Sequence, residues 1–294
     1  MELKRFLWLV LTCYLCMTEK AQADASDSQI KGPPYRQHIQ ELHSLTTEFE
    51  PWAMLEIYGY SVEGRPLAML RIEKPAKTKS TKTPAIFISG ATHGNEYLNI
   101  VDRLPRWILD NKDHEPGLTQ YLAAGGSFYI VPILNPDGYE NHTRKNSNGK
   151  DLNRDFYLKF ANQVYFTQPE TKYLAEKIAE LTSLHNKKLK LTIDYHCCDG
   201  SLLFPWSYTD KSLPDSDYLD HEHIAQLMLQ TIGNDYRYGS TGQVLGYFPK
   251  GTSKDYFYST HGAMAFTFEG HRRSEQYNFD GHLLWLLEVI KELN

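Results

Sequence analysis

The run Ala85-Ile86-Phe87-Ile88 leads directly into Ser89-Gly90-Ala91-Thr92-His93-Gly94-Asn95-Glu96-Tyr97. An unbroken apolar run of this length reads as a strand buried on both faces. Gly90 punctuates its end, and a histidine and a glutamate follow three residues apart in the loop beyond. A solvated turn accounts for such a pair. A metal site accounts for it too, provided other segments bring further ligands to the same place.

Apolar runs of strand length recur at 55–60, 67–72, 127–134, 189–195 and 263–268. Helical patterns lie between or beyond them at 98–111, 170–184, 219–232 and 282–293, the second with Leu174, Ile178 and Leu181 on one face. Alternating strands and helices, with several strands apolar on both faces, predict one α/β domain: a mixed, mostly parallel sheet flanked by helices.

In open α/β sheets ligands bind beyond the carboxyl ends of strands. Three of the predicted strands end in suitable residues. The first leads to His93 and Glu96, the run 189–195 enters His196, and the run 263–268 enters Glu269. Two histidines and a carboxylate are a ligand set for a catalytic Zn2+ that keeps a fourth position for water. A further carboxylate outside that set is what such a water needs as general base.

The rest of the chain narrows the function classes. Its 294 residues suffice for one large domain with a substantial core. A net charge of -5 without long like-charged blocks argues against nucleic acid or a membrane surface as partner. The lysine-rich stretch 74–82 lacks aromatic residues and reads as a solvated loop. Met1-Glu2-Leu3-Lys4-Arg5 is a basic n-region, residues 6–17 are an apolar segment too short to span a bilayer, and Ala21-Gln22-Ala23 offers a cleavage site. Residues 1–23 are thus expected to be a signal peptide, 24–35 a mobile leader and 36–294 the catalytic domain. The expected location is secreted, in a Gram-negative periplasm. Val10-Leu11-Thr12-Cys13 only weakly resembles a lipoprotein box. Once the signal is removed only the adjacent Cys197 and Cys198 remain. Adjacent cysteines bond only with strain, so no disulfide framework is expected and the two read as a buried pair of small hydrophobes.

Thr92-His93-Gly94-Asn95-Glu96 resembles the zinc motif of the metallocarboxypeptidases, the peptidases related to carboxypeptidase A. The resemblance begins at Gly59-Tyr60-Ser61-Val62-Glu63-Gly64-Arg65-Pro66-Leu67 and continues through Asn135-Pro136-Asp137-Gly138-Tyr139 and Asp151-Leu152-Asn153-Arg154-Asp155-Phe156. Gln168-Pro169-Glu170-Thr171, Tyr195-His196, Gly251-Thr252-Ser253-Lys254-Asp255-Tyr256-Phe257-Tyr258 and Phe266-Thr267-Phe268-Glu269 complete it in family order. It implies one zinc ion held by His93, Glu96 and His196, with Glu269 as general base. It also implies Arg144 as the oxyanion stabiliser, Asn153 and Arg154 as the grip on the substrate's terminal carboxylate, and Tyr247 as a mobile tyrosine closing over the substrate. The implied partner is a peptide or muropeptide with a free C-terminal carboxylate, cut by a monomer.

Asn95 stands where some members carry arginine, a difference of subgroup. No folded inhibitor domain is expected before residue 35, and no extra domain after the catalytic one. By the resemblance Lys254 lies at the floor of the pocket for the terminal side chain. A buried lysine needs an anion, which implies a preference for acidic C-terminal residues or for a substrate with a second carboxylate. The alternative places Lys254 in a surface ion pair. Three rival functions are considered. The pattern Asn146 to Arg154 is similar to that of murein peptide amidases; a non-catalytic binding protein on a peptidase scaffold would have lost site residues; and an amidohydrolase of small acyl-amino acids would use the same grip. The run Asp220-His221-Glu222-His223 looks metal-like, but on a helix its side chains diverge and read as a solvated face.

Overall fold

A computed structural model describes residues 32–75, 82–158, 165–271 and 278–293. The expected signal segment, most of the leader and the middle of the lysine-rich stretch lie outside the described residues. Alternation along the central strands sets the architecture. In β3 (Thr83–Gly90), Ile86 and Ile88 enter one core while Ala85 and Phe87 enter another on the opposite face. In β4 (Ser127–Val131), Phe128 and Ile130 face the first core, and Tyr129 and Val131 the second. All of β4 and all of β3 except Pro84 are buried, which requires cover on both sides.

That cover is helical. α1 (Tyr35–Glu48), α2 (Ile100–Asn111), α3 (Pro116–Ala123), α6 (Asp215–Thr231) and α9 (Phe279–Leu293) enclose the larger core. α5 (Pro169–Leu184) and α8 (Ser253–His261) close the other, with Leu174, Ile178 and Leu181 facing inward as their spacing predicts. α4 (Pro136–Glu140) and α7 (Thr241–Leu245) are short helices of five residues each. The remaining strands are β1 (Ala53–Tyr60), β2 (Pro66–Glu73), β5 (Lys187–Cys197), β6 (Ser201–Phe204), β7 (Arg237–Ser240) and β8 (Met264–Gly270).

The eight strands form one mixed sheet in the order β1-β2-β4-β3-β5-β8-β6-β7. The central neighbours β4, β3, β5 and β8 are parallel, whereas β1, β2 and β6 add antiparallel pairings. β6 and β7, four residues each, escape prediction because they are shorter than an alternation pattern can reveal. The expected strand 127–134 stops at Val131 because Pro132 has no N–H to extend a ladder. α1 was also unexpected. Its inward face is Tyr35, His38, Leu42 and Leu45, a sparse stripe in which one position is a histidine. The expected leader gives way within its last residues to docked chain: the Tyr139 hydroxyl donates to Pro33 O (2.7 Å) and Tyr35 is buried.

One close approach fixes the loop after β3. A Cβ on Gly94 would lie 2.0 Å from the carbonyl carbon of Gly138 and 2.2 Å from the amide nitrogen of Tyr139. Both are backbone atoms of α4 and cannot swing aside. Gly94→Ala is therefore expected to destabilise the fold by about 1–3 kcal/mol through overpacking, read as a lower urea midpoint with an unchanged slope.

Candidate active site

Register brings the strand ends together. Gly90 of β3 pairs with Tyr195 of β5, and His196 pairs with Glu269 of β8. Beyond Gly90 the chain turns through Ala91, at φ 47°, and is tied down by Leu134 N to Gly90 O (2.9 Å) and Asn135 N to Ala91 O (3.2 Å). A tight turn, Glu96 N to His93 O (2.9 Å), then folds the two side chains onto one another.

The result is a buried cluster. His93 Nδ1 lies 2.8 Å from Glu96 Oε2, and His196 Nδ1 lies 3.0 Å from the same oxygen. The two Nδ1 atoms are 3.0 Å apart. Each ring turns its other nitrogen to a carboxylate: His93 Nε2 to Asp151 Oδ1 (3.0 Å) and His196 Nε2 to Asp194 Oδ2 (2.9 Å). With each Nε2 turned to its outer carboxylate as donor, each Nδ1 faces inward, where its lone pair is available to a metal. Two lone pairs and an anionic oxygen thus converge within 4.8 Å of one another. A cation at their centre would satisfy all three, and two nitrogens with one carboxylate oxygen suit Zn2+. Among the described residues this is the one such group of ligands.

The electrostatics agree. Burial would lift the Glu96 carboxyl, but His196 and His93 outweigh it and hold the carboxyl well below the usual range. Burial would lower His196, yet Asp194 and Glu96 drive it well above its ordinary value. The Asp151 carboxyl is likewise held low against burial, by His93 and Arg144. Positive charge is favoured here from every direction.

The other sequence candidates are distributed around the cluster. Half-buried Glu269, the penultimate residue of β8, pairs with His196, and burial pushes its carboxyl upward, opposed by His196 and reinforced by Glu96. Arg144 donates from Nη1 to Glu96 Oε1 (2.8 Å) and from Nε to Asp151 Oδ2 (3.2 Å). Asn153 and Arg154 sit on a short 3-10 turn, Leu152–Arg154, capped by Asp151, whose Oδ1 accepts from Asn153 N (3.0 Å). Asn153 Oδ1 accepts from Ser253 N (2.9 Å), and Arg154 Nη1 donates to Asn153 O (2.6 Å). Tyr247 is 47% exposed in the loop after α7.

Lys254, in the first turn of α8, is only 3% exposed. Its Nζ donates to Ser207 Oγ (2.6 Å) and Thr241 Oγ1 (2.9 Å), and among the described residues no carboxylate lies within ion-pairing distance. The surface ion pair that sequence allowed is not formed. Burial pushes its ammonium down to about 8, against the attraction of Asp255 and Glu269.

Two expectations are corrected. Cys197 and Cys198 are not a buried pair: Cys197 is buried but Cys198 is exposed. In the run 220–223, His221 is a core residue rather than part of a solvated face. It accepts from Ala265 N at Nε2 (3.2 Å) and holds Asp217 O at Nδ1. Four partners were not singled out from sequence: Asp151, Asp194, Ser207 and Thr241. Asp194 left a signal, because residues two apart on a strand share a face.

Fold and cluster define a mixed α/β protein with a candidate metal centre at the carboxyl edge of its sheet. The profile of the zinc carboxypeptidase family, peptidase family M14, matches residues 38–284, and the chain belongs to that family. Carboxypeptidase A4 of Mus musculus is 27% identical over 80% of this chain and 61% of its own length. Carboxypeptidase SOL1 of Arabidopsis thaliana is 29% identical over 72% of this chain and 44% of its own. The chain thus spans less than two thirds of either relative. Among solved structures, thrombin-activatable fibrinolysis inhibitor superposes with a TM-score of 0.73 at 22% identity, covering 86% of this chain and 72% of that one. A carboxypeptidase A from Helicoverpa armigera gives 0.69 at 20% identity, covering 96% and 81%. Both are likenesses of fold.

If His93, Glu96 and His196 hold zinc, free zinc at 100 times its dissociation constant should stabilise the chain by about 2.7 kcal/mol. Differential scanning fluorimetry checks this, and His196→Ala should abolish the shift.

Proposed function

We propose that the chain is a secreted zinc-dependent metallocarboxypeptidase that hydrolyses the C-terminal peptide bond and prefers an acidic or dicarboxylate C-terminal residue. The observation that carries the preference is Lys254, a buried ammonium hydrogen-bonded only to hydroxyls. A buried charge without an ion partner is costly, and an ammonium has a third N–H to offer. A substrate side-chain carboxylate supplies what is missing.

His93, Glu96 and His196 would hold the zinc, which when bound supplies a polarised water and a Lewis acid for the scissile carbonyl. Glu269, its carboxyl pushed up by burial, takes a proton from the water and returns it to the leaving amine. Arg144 is already at the cluster, and its guanidinium stabilises negative charge developing on the carbonyl oxygen. Arg154 and Asn153 grip the terminal carboxylate, a planar fork beside an amide. Tyr247, exposed on its loop, closes over the bound residue.

Secretion to the periplasm rests on the basic and apolar N-terminal segment, with residues 1–23 as signal, 24–35 as leader and 36–294 as the catalytic domain of a monomer. Among the described residues no helix is long and apolar enough to cross a membrane. The pattern from Asn146 to Arg154 has an architectural account. Asn146 Oδ1 accepts from the amides of Asn148 (3.2 Å) and Lys150 (3.0 Å), and Nδ2 donates to Gln168 and Glu170. It builds the loop that carries Asp151 and Asn153, so it does not by itself favour a muropeptide. The presence of Glu269 and all three ligand residues disfavours a non-catalytic scaffold.

Peptides ending in Glu, Phe and Lys separate these readings. Glu should be released with the highest kcat/KM, and equal or faster release of Phe would refute the preference. Lys254→Met should cost about 2 kcal/mol, roughly 30-fold, for Glu alone. The charged form of Lys254 predominates below about 8 and is lost above it, so the Glu preference should fade as pH rises through that value while Phe release does not follow. Glu269→Gln should lower kcat by about 10²–10⁴-fold with zinc content unchanged.

A further inference from the structure

Asp194 is 4% exposed in the middle of the sheet, where a carboxylate costs free energy unless fully satisfied. It is. Ser89 Oγ (2.9 Å) and Thr92 Oγ1 (2.8 Å) donate to Oδ1, and Ser253 Oγ (2.9 Å) and His196 Nε2 (2.9 Å) donate to Oδ2. A carboxylate has about four lone-pair sites, and all are filled from four different segments: β3, the loop after it, α8 and β5 itself.

Three hydroxyls aimed at one buried carboxylate are more than strand packing requires. They orient Asp194 so that its fourth position faces the His196 ring. The effect on His196 is specific. With Nε2–H committed to Asp194, the lone pair is on Nδ1, the atom facing His93 and Glu96. Such an outer carboxylate also raises the basicity of a ligating imidazole. Asp151 serves His93 in the same way, but it is half-buried and shared with Arg144. Asp194 is the sealed counterpart.

Ser253 extends the connection. Its hydroxyl holds Asp194, its amide holds Asn153 Oδ1, and the next residue is Lys254. We propose that Asp194 is a positioning residue: it commits His196 to present Nδ1 to the metal and ties that ligand to the first turn of α8, which carries Lys254. This rests on the reading of His196 as a zinc ligand.

The test measures zinc affinity by competition with a chromogenic chelator, the visible spectrum of the Co2+-substituted protein, and the melting temperature without metal as a fold control. Asp194→Asn should weaken zinc about 10- to 100-fold and alter the cobalt spectrum. Ser253→Ala, which removes one donor and no charge, should weaken zinc by a smaller factor in the same direction. A merely structural Asp194 would lower the metal-free melting temperature and leave zinc affinity within twofold in both variants, and that result overturns the proposal. If Asp194→Asn does not fold, Ser253→Ala decides on the same readout. A parent chain that binds no zinc overturns the functional reading as well, whereas a parent that binds it beside two unaffected variants overturns this proposal alone.

Discussion

The parallel register of β3, β5 and β8 is the constraint on which everything at the site depends. Because Gly90 pairs with Tyr195 and His196 with Glu269, three chain segments leave the sheet at one edge. A slip of one residue in β5 would turn His196 to the opposite face and exchange the two cores. Burial on both faces prevents that slip. Leu191 and Ile193 belong to one core, and the strands beside them alternate in step. The site geometry is thus enforced by apolar packing that contains none of the site's chemistry.

Charge is arranged in two tiers above that edge. Glu96 faces inward to both Nδ1 atoms, while Asp151 and Asp194 take the outward nitrogens. Three carboxylates around two imidazoles leave an excess of negative charge, which Arg144 offsets only in part from an exposed position. Such a cluster is at ease with a dication and uneasy with protons alone. Metal binding and local order are expected to be coupled, because the loop carrying Glu96 is held by the same contacts that hold the ligands.

The sequence made the central sheet legible where strands are apolar on both faces; the runs 85–88 and 128–131 stand out on that ground alone. β6 and β7 did not, since four residues show no period, and α1 did not, since His38 occupies an inward position. His93, Glu96, His196 and Glu269 were found as strand-end residues, and the structure brings them together. The environment of Lys254 could not be read. Whether a lysine at that position is buried depends on Ser207 and Thr241, which reach it from separate segments.

Lys254 has an acidic neighbour that could have neutralised it. Asp255 is the next residue, yet adjacent helical positions do not face each other. Both Asp255 oxygens instead accept from Ser207 N, at 2.9 and 3.0 Å. The same residue, Ser207, then offers its hydroxyl to Lys254. The helix therefore anchors itself with the anion and leaves the cation facing neutral oxygen. A fold selected for stability alone would gain by replacing that lysine with a hydrocarbon chain of similar length. On the preference proposed above, the missing charge arrives with the substrate, and the desolvation already incurred in folding would sharpen discrimination against neutral and basic side chains.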